Sequence, residues 1–171
     1  MTINAPPQVS SIEDVHPDWD SYASMFELLE AAGAGYVKVI PASANHEARG
    51  KAPAGKAWQE SPFSADQVKS HFRRGGNVGL LCGHNRLIVI DADAKTPQTT
   101  AAAVLTAWPA LAGTLTIVRA TAPERAKFVI RIIDGDPLPA SKSYDGLDIL
   151  AAKRQAVIAG THAGDAAKGV S

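Results

Sequence analysis

The run Leu87-Ile88-Val89-Ile90-Asp91-Ala92-Asp93 constrains this chain more than any other segment: four consecutive branched aliphatic residues lead straight into two carboxylates one residue apart. A short, wholly apolar run rich in β-branched residues reads as a strand buried on both faces. Acids at its end then stand at the rim of a sheet, where their charge is tolerable if a cation is shared. Side chains alternate along a strand, so Asp91 and Asp93 point to one face. Hard oxygen donors so placed suit magnesium or manganese, ions that bridge phosphates and activate an attacking hydroxyl. An Asp-x-Asp tripeptide is also common in turns, and in isolation the turn is the simpler reading.

The flanking sequence supplies a fold for that strand. Trp19, Tyr22, Phe26 and Leu29 recur at helical spacing, and Gly33 stands where a C-cap belongs, which predicts an amphipathic first helix. Residues 36–40 read as a strand closed by Pro41. The connection over residues 42–58 carries His46, Arg49, Lys51 and Lys56, and a loop of that length in a small domain is a candidate substrate contact. Ser64 followed by Gln67 forms a capping-box signal for a second helix, with Val68 and Phe72 on its apolar side and Arg73-Arg74-Gly75-Gly76 ending it. Residues 78–83 and 87–90, on either side of a His84-Asn85-Arg86 turn, predict two adjacent central strands in a hairpin. Pro97 and the alanine-rich run to Leu111 predict a helix on the sheet, ended or kinked by Pro109. Further short strands are expected at 116–119, 128–132, 147–150 and 156–158.

With 171 residues and 46% hydrophobic content, this pattern suits one α+β domain, a mostly antiparallel or mixed sheet flanked by helices. Residues 1–17 lack periodicity and read as a flexible arm, leaving 18–171 as the domain. Seventeen basic residues balance seventeen acidic ones, so any basic groove for nucleic acid must be local. A single cysteine, Cys82, excludes an internal disulfide and argues against a cysteine-rich zinc site. With no apolar window of bilayer length and no basic-then-apolar N-terminus, the expectation is a soluble cytoplasmic protein with no membrane partner. His16, His46, His71 and His84 form no spaced ligand motif, and Trp19, Trp58 and Trp108 are most simply packing residues. No Gly-Lys-Ser/Thr follows the glycines at 75, 76 and 79, and no Gly-x-Ser-x-Gly elbow is present.

The order of motifs resembles the N-terminal domain of bifunctional DNA primase/polymerases, the Prim-Pol family of the archaeo-eukaryotic primase superfamily. The resemblance spans roughly residues 19–164. It rests on the strand leading to Pro41, Lys51-Ala52-Pro53, Trp58, and above all Asn77-Val78-Gly79-Leu80-Leu81-Cys82-Gly83 followed by Ile90-Asp91-Ala92-Asp93. Downstream, Val118-Arg119, the run from Pro123 to Arg131, Gly146-Leu147-Asp148-Ile149-Leu150 and Gly160-Thr161-His162-Ala163-Gly164 keep the family's order.

The resemblance implies a core like an RNA-recognition motif and a DNA primase/polymerase activity, a nucleotidyl transfer directed by a DNA template. Asp91, Asp93 and Asp148 would be the catalytic carboxylates and the ligands of Mg2+ or Mn2+. Arg119, Arg125, Lys127, Arg131 and His162 would bind the phosphates or sugar of the incoming (deoxy)ribonucleoside triphosphate. Arg49, Lys51, Lys56, Arg73 and Arg74 would hold template through its backbone without reading sequence. Family context implies replication of a phage, plasmid or other mobile element, with a helicase-like domain or protein as a further partner. Two departures stand out. Many relatives place a histidine in the strand that here reads Ala126-Lys127-Phe128, where this chain has Lys127 or Arg125 instead, and residues 165–171 lack the family's aromatic continuation, as a truncated domain would. A module that binds nucleic acid without turnover, or a metal-dependent nuclease, therefore stands as an alternative.

Overall fold

The computed structural model describes residues 18–162; the expected N-terminal arm and the segment after His162 lie outside them. The fold is α+β, with helices packed on two antiparallel sheets. A short 3-10 turn, Trp19–Tyr22, leads into α1 (Ala23–Ala31), which stops at Gly33, where φ is +69°. Helix α2 (Ala65–Phe72) begins at the expected capping box, Ser64 and Gln67 exchanging side-chain bonds with each other's backbone. The alanine-rich segment forms α3 (Ala101–Ala107), which Pro109 replaces with a 3-10 turn, Pro109–Gly113.

The first sheet contains β1 (Tyr36–Val39), β2 (Asn77–Cys82) and β8 (Arg154–Ala159), in the order β1-β2-β8. The second contains β3 (Leu87–Ala92), β4 (Leu115–Arg119), β5 (Ala122–Arg131), β6 (Lys142–Tyr144) and β7 (Leu147–Leu150), in the order β4-β5-β3-β7-β6. The expected hairpin of two central strands is therefore corrected: β2 and β3 belong to different sheets. The turn between them is closed by Gly83 N–H on the Leu87 carbonyl at 2.6 Å and Arg86 N–H on the Gly83 carbonyl at 3.2 Å. Gly83 (φ +87°), Asn85 (+45°) and Arg86 (+66°) all have left-handed backbones, and this sharp change of direction sends β3 out of the first sheet. The connection from β7 to β8 changes sheet at the same corner. A Cβ on Gly83 would lie 2.7 Å from Ala152 Cα, so only glycine lets the two crossings touch.

The crossover turn is held by its arginine. Arg86 donates from Nε to the Ile132 carbonyl at 3.1 Å and from Nη2 to the Ile133 carbonyl at 2.7 Å and the Asp136 carbonyl, with Asp134 3.4 Å away. Arg86→Ala leaves those carbonyls without their cation, and should lower the free energy of urea unfolding by about 3 kcal/mol.

One core fills the space among α1, α2 and the facing sides of both sheets, where Phe26, Phe72, Tyr36, Leu80, Leu87, Val89 and Val129 are buried together. A second lies behind the five-stranded sheet, where Ile90, Ala92, Ala126 and Phe128 pack on Val104 of α3 and Leu111. The strand carrying the aspartates is thus buried on both faces, as its unbroken apolar run predicts.

Candidate functional site

Register brings the acids together. In the five-stranded sheet Asp91 of β3 lies directly opposite Asp148 of β7 on one side and Lys127 of β5 on the other. Residues directly opposite one another share a face, so Lys127, Asp91 and Asp148 form a charged row across three strands. Ile117 of β4 and Ser143 of β6 extend the row to both edges. The preceding row on that face is Leu115, Val129, Val89 and Leu150, part of the first core. The face therefore changes from apolar to charged within one strand repeat, with α3 behind it.

Asp91 is the electrostatic centre. Lys127 Nζ donates to its Oδ1 at 2.9 Å, and the two side chains are only 25% and 15% exposed, Lys127 first, so the pair is held in a largely dry setting. Burial pushes the Asp91 carboxyl above the ordinary aspartate range; Lys127 pulls it down, and the neighbouring Asp93 and Asp148 push it up again. Burial also drives the Cys82 thiol up to about 12, with Asp91 adding to the effect, so this cysteine is an inert thiol beside the site.

Asp93 follows the end of β3, its N–H bonded to the Gly146 carbonyl at 2.8 Å, which ties it to the turn before β7. Gly146 has φ +84°, and a Cβ there would meet Thr99 Oγ1 at 2.6 Å. Ala94, next in the chain, has φ +53° while its N–H bonds the Thr99 carbonyl. A non-glycine residue held left-handed beside a cluster of acids is local strain. Ala94→Gly should relieve it and stabilise the fold by about 0.5–1 kcal/mol in denaturant titration.

The basic residues fall into separate groups. Arg119 ends β4 and Arg125 lies in the bulge of β5 where the pairing jumps from Val118–Ala126 to Arg119–Ala122; both are half-buried one step beyond the charged row. Arg131 is at the other end of β5, opposite Leu87, four residues or roughly 13 Å from Lys127, where it reaches the Ala32 carbonyl. The structure does not bring Arg131 to the acids. His162 lies three residues past the end of β8, the edge strand of the first sheet, rather than on the five-stranded sheet. Arg49, Lys51 and Lys56 lie on a connection that is not a free loop: Pro53 bridges Val39, and Gly50 and Ala52 bond to Ile40. Arg73 and Arg74 cap α2 just before Asn77, so they stand at the same end of the first sheet as Gly50.

Among the described residues, no three Asp, Glu, His or Cys side chains converge tightly enough to enclose an ion, and no helix is long and apolar enough to cross a membrane. Two features escaped the sequence reading. Strand β6 was missed because Lys142-Ser143-Tyr144 is exposed throughout and carries no apolar alternation. The Lys127–Asp91 pair was missed because register, not spacing, creates it.

No curated protein matches the chain in sequence. The family description Bifunctional DNA primase/polymerase, N-terminal matches residues 28–169, which takes in every strand and all three aspartates. With that match over most of its length, the chain belongs to the Prim-Pol family of primase/polymerase domains.

Proposed function

We propose that this domain adds nucleotides to a DNA strand on a DNA template, using the face of the five-stranded sheet that carries Asp91, Asp93 and Asp148. The carrying observation is the row Lys127–Asp91–Asp148, which sets two carboxylates and one ammonium opposite each other in a family of primase/polymerase domains. The 3′-hydroxyl of the growing strand attacks the α-phosphate of a nucleoside triphosphate, and pyrophosphate leaves.

The acids fit a divalent ion by donor type. They are hard oxygens, and the Asp91 carboxyl is raised first by burial and then by the nearby Asp93 and Asp148 carboxylates, a charge that a shared cation would offset. Bound there, Mg2+ or Mn2+ would supply Lewis acidity toward phosphate oxygens and favour the ionised nucleophile. Lys127, Arg119 and Arg125 neutralise and orient the triphosphate, with His162 at its phosphate or sugar; arginine's planar fork suits phosphate oxygens. Arg131, far from the row, contributes only if the nucleotide reaches along β5. Arg49, Lys51, Lys56, Arg73 and Arg74 hold the template backbone. Replication of a mobile element, alongside a helicase-like partner, is the setting in which such a domain would work.

The second reading is a module that binds nucleic acid without turnover. It is favoured by the family resemblance itself, in which many relatives carry a histidine in the strand that here reads Ala126-Lys127-Phe128, where this chain has Lys127 or Arg125 instead. Extension of a labelled primer on a DNA template, with magnesium or manganese, separates the two. Extension by the native chain, lost in a folded Asp91→Ala, Asp93→Ala double variant, supports the polymerase. Template binding without extension sinks it, and cleavage of DNA without nucleotides would point to a nuclease.

A further inference from the structure

The Asn-x-Gly element at the start of β2 has no part in the chemistry above, yet it contains the one buried amide or charged side chain among the described residues, Asn77 at 1% exposure. Its amide is spent on two distant segments. Nδ2 donates to the Gly50 carbonyl at 3.1 Å and to the Thr161 carbonyl at 2.8 Å, while Oδ1 accepts from Thr161 N–H at 3.0 Å. One amide side chain therefore holds the basic connection at its Arg49–Lys51 apex and the Gly160–His162 turn. Neither segment touches the other through a regular strand pairing.

Gly79, two residues on, has the complementary role. A Cβ there would meet Gln155 Oε1 at 2.3 Å. Without one, the Gln155 amide lies across the strand and its Nε2 donates to the Lys51 carbonyl at 2.7 Å. Gly160 is similarly constrained: a Cβ would meet Asn77 Oδ1 at 2.1 Å, and φ is +115°. The basic connection is thus held twice, by Asn77 and by Gln155, and the C-terminal turn shares one of those holds.

We infer that Asn77 is a positioning residue that fixes the template-side connection and the nucleotide-side turn as one unit, with Gln155 fixing the connection alone. This rests on the proposed function, which assigns Arg49 and Lys51 to template and His162 to the nucleotide. Asn77 touches neither ligand. It acts through backbone carbonyls and an N–H that no side-chain change elsewhere can replace, and burial makes each unmade bond costly. Asn77→Asp keeps the acceptor for Thr161 N–H but turns both donations into repulsion between a carboxylate and two carbonyls. Gln155→Met keeps length and loses only the bond to Lys51.

The experiment compares these two variants with the native chain by affinity for a labelled single-stranded oligonucleotide, by nucleotide KM and kcat in primer extension, and by hydrogen exchange. Asn77→Asp should raise the oligonucleotide Kd and the nucleotide KM each by about tenfold, with kcat changed less than about threefold. Exchange should rise together over residues 46–54 and 158–162. Gln155→Met should raise the oligonucleotide Kd alone, with exchange rising only over 46–54. This split keeps the test open if Asn77→Asp fails to fold, since Gln155→Met loosens a single, half-exposed bond. Faster exchange with unchanged affinities, or a fall in kcat alone, would overturn the inference. A native chain that binds neither oligonucleotide nor nucleotide overturns the proposed function instead, whereas native binding matched by both variants overturns only the positioning role.

Discussion

Asp91→Asn is expected to lower primer extension by at least about a thousandfold while leaving the melting temperature at pH 7.5 equal to or above that of the native chain. The two halves have one cause. In the fold the Asp91 carboxyl titrates above its ordinary value, because burial and the neighbouring Asp93 and Asp148 outweigh the pull of Lys127. Between the unfolded and folded values the native state binds the extra proton, so this group's contribution to stability is present in acid and is lost as pH rises through the folded value. At neutral pH the ionised side chain is a cost to the fold. Asparagine removes the charge and keeps the shape, and Lys127, a quarter exposed on a flexible stem, turns its ammonium to solvent at little cost, which the shorter, more buried Asp91 cannot do. Activity and melting temperature measured on the same preparation check both halves; a variant that loses activity through unfolding would show the opposite sign in the second.

Lys127→Met should produce the reverse pattern in stability. It leaves Asp91 ionised, largely buried and without the ammonium now 2.9 Å away. Removing one member of a buried pair costs about 3–5 kcal/mol, and partial solvent access on both sides reduces this to about 2 kcal/mol. The melting temperature at pH 7.5 should fall by at least about 4 °C, and by less at pH 5, where Asp91 is closer to protonation. Because the proposed function sets Lys127 against the nucleotide phosphates, the nucleotide KM should rise about tenfold. Lys127→Arg should retain most of both properties. Combining Lys127→Met with Asp91→Asn should return the melting temperature toward native, because neither charge remains to lack a partner. A double variant as unstable as Lys127→Met alone would mean that the lysine acts through packing of its alkyl stem rather than through the pair.

Much of this site was legible in residue order. The apolar run ending at Asp91 announced a strand buried on both faces, because burial of such a run is a local property, while Asp93 falls one residue past the end of that strand. Asp148 could be placed only through the family resemblance, since the pairing that sets it opposite Asp91 depends on where β7 docks. The same holds for Lys127. The hairpin expected at residues 78–90 failed for a specific reason: a three-residue turn between two apolar strands is the ordinary signal for pairing, but Asn85 and Arg86 adopt left-handed backbones that turn the chain out of plane. Neither residue is glycine, so composition gave no warning. Asn77 stands in a recognisable motif, but its partners are carbonyls and an N–H, groups every residue has and no sequence pattern distinguishes.

The corner at Gly83 and Ala152 also sets an order of assembly. The strand bearing Asp91 can find its neighbour bearing Asp148 only after residues 147–150 exist, some 57 residues further along the chain. The bonds from Asn77 to Thr161 span 84 residues. Closing loops of that length is entropically slow, so contacts of this kind form late in folding. A chain emerging from the ribosome carries its aspartates well before it carries a site. The amide clasp at Asn77 closes only when β8 is seated, which makes it a marker for the final folding step: protection of the Thr161 N–H should be among the last to appear in a refolding experiment followed by pulsed hydrogen exchange.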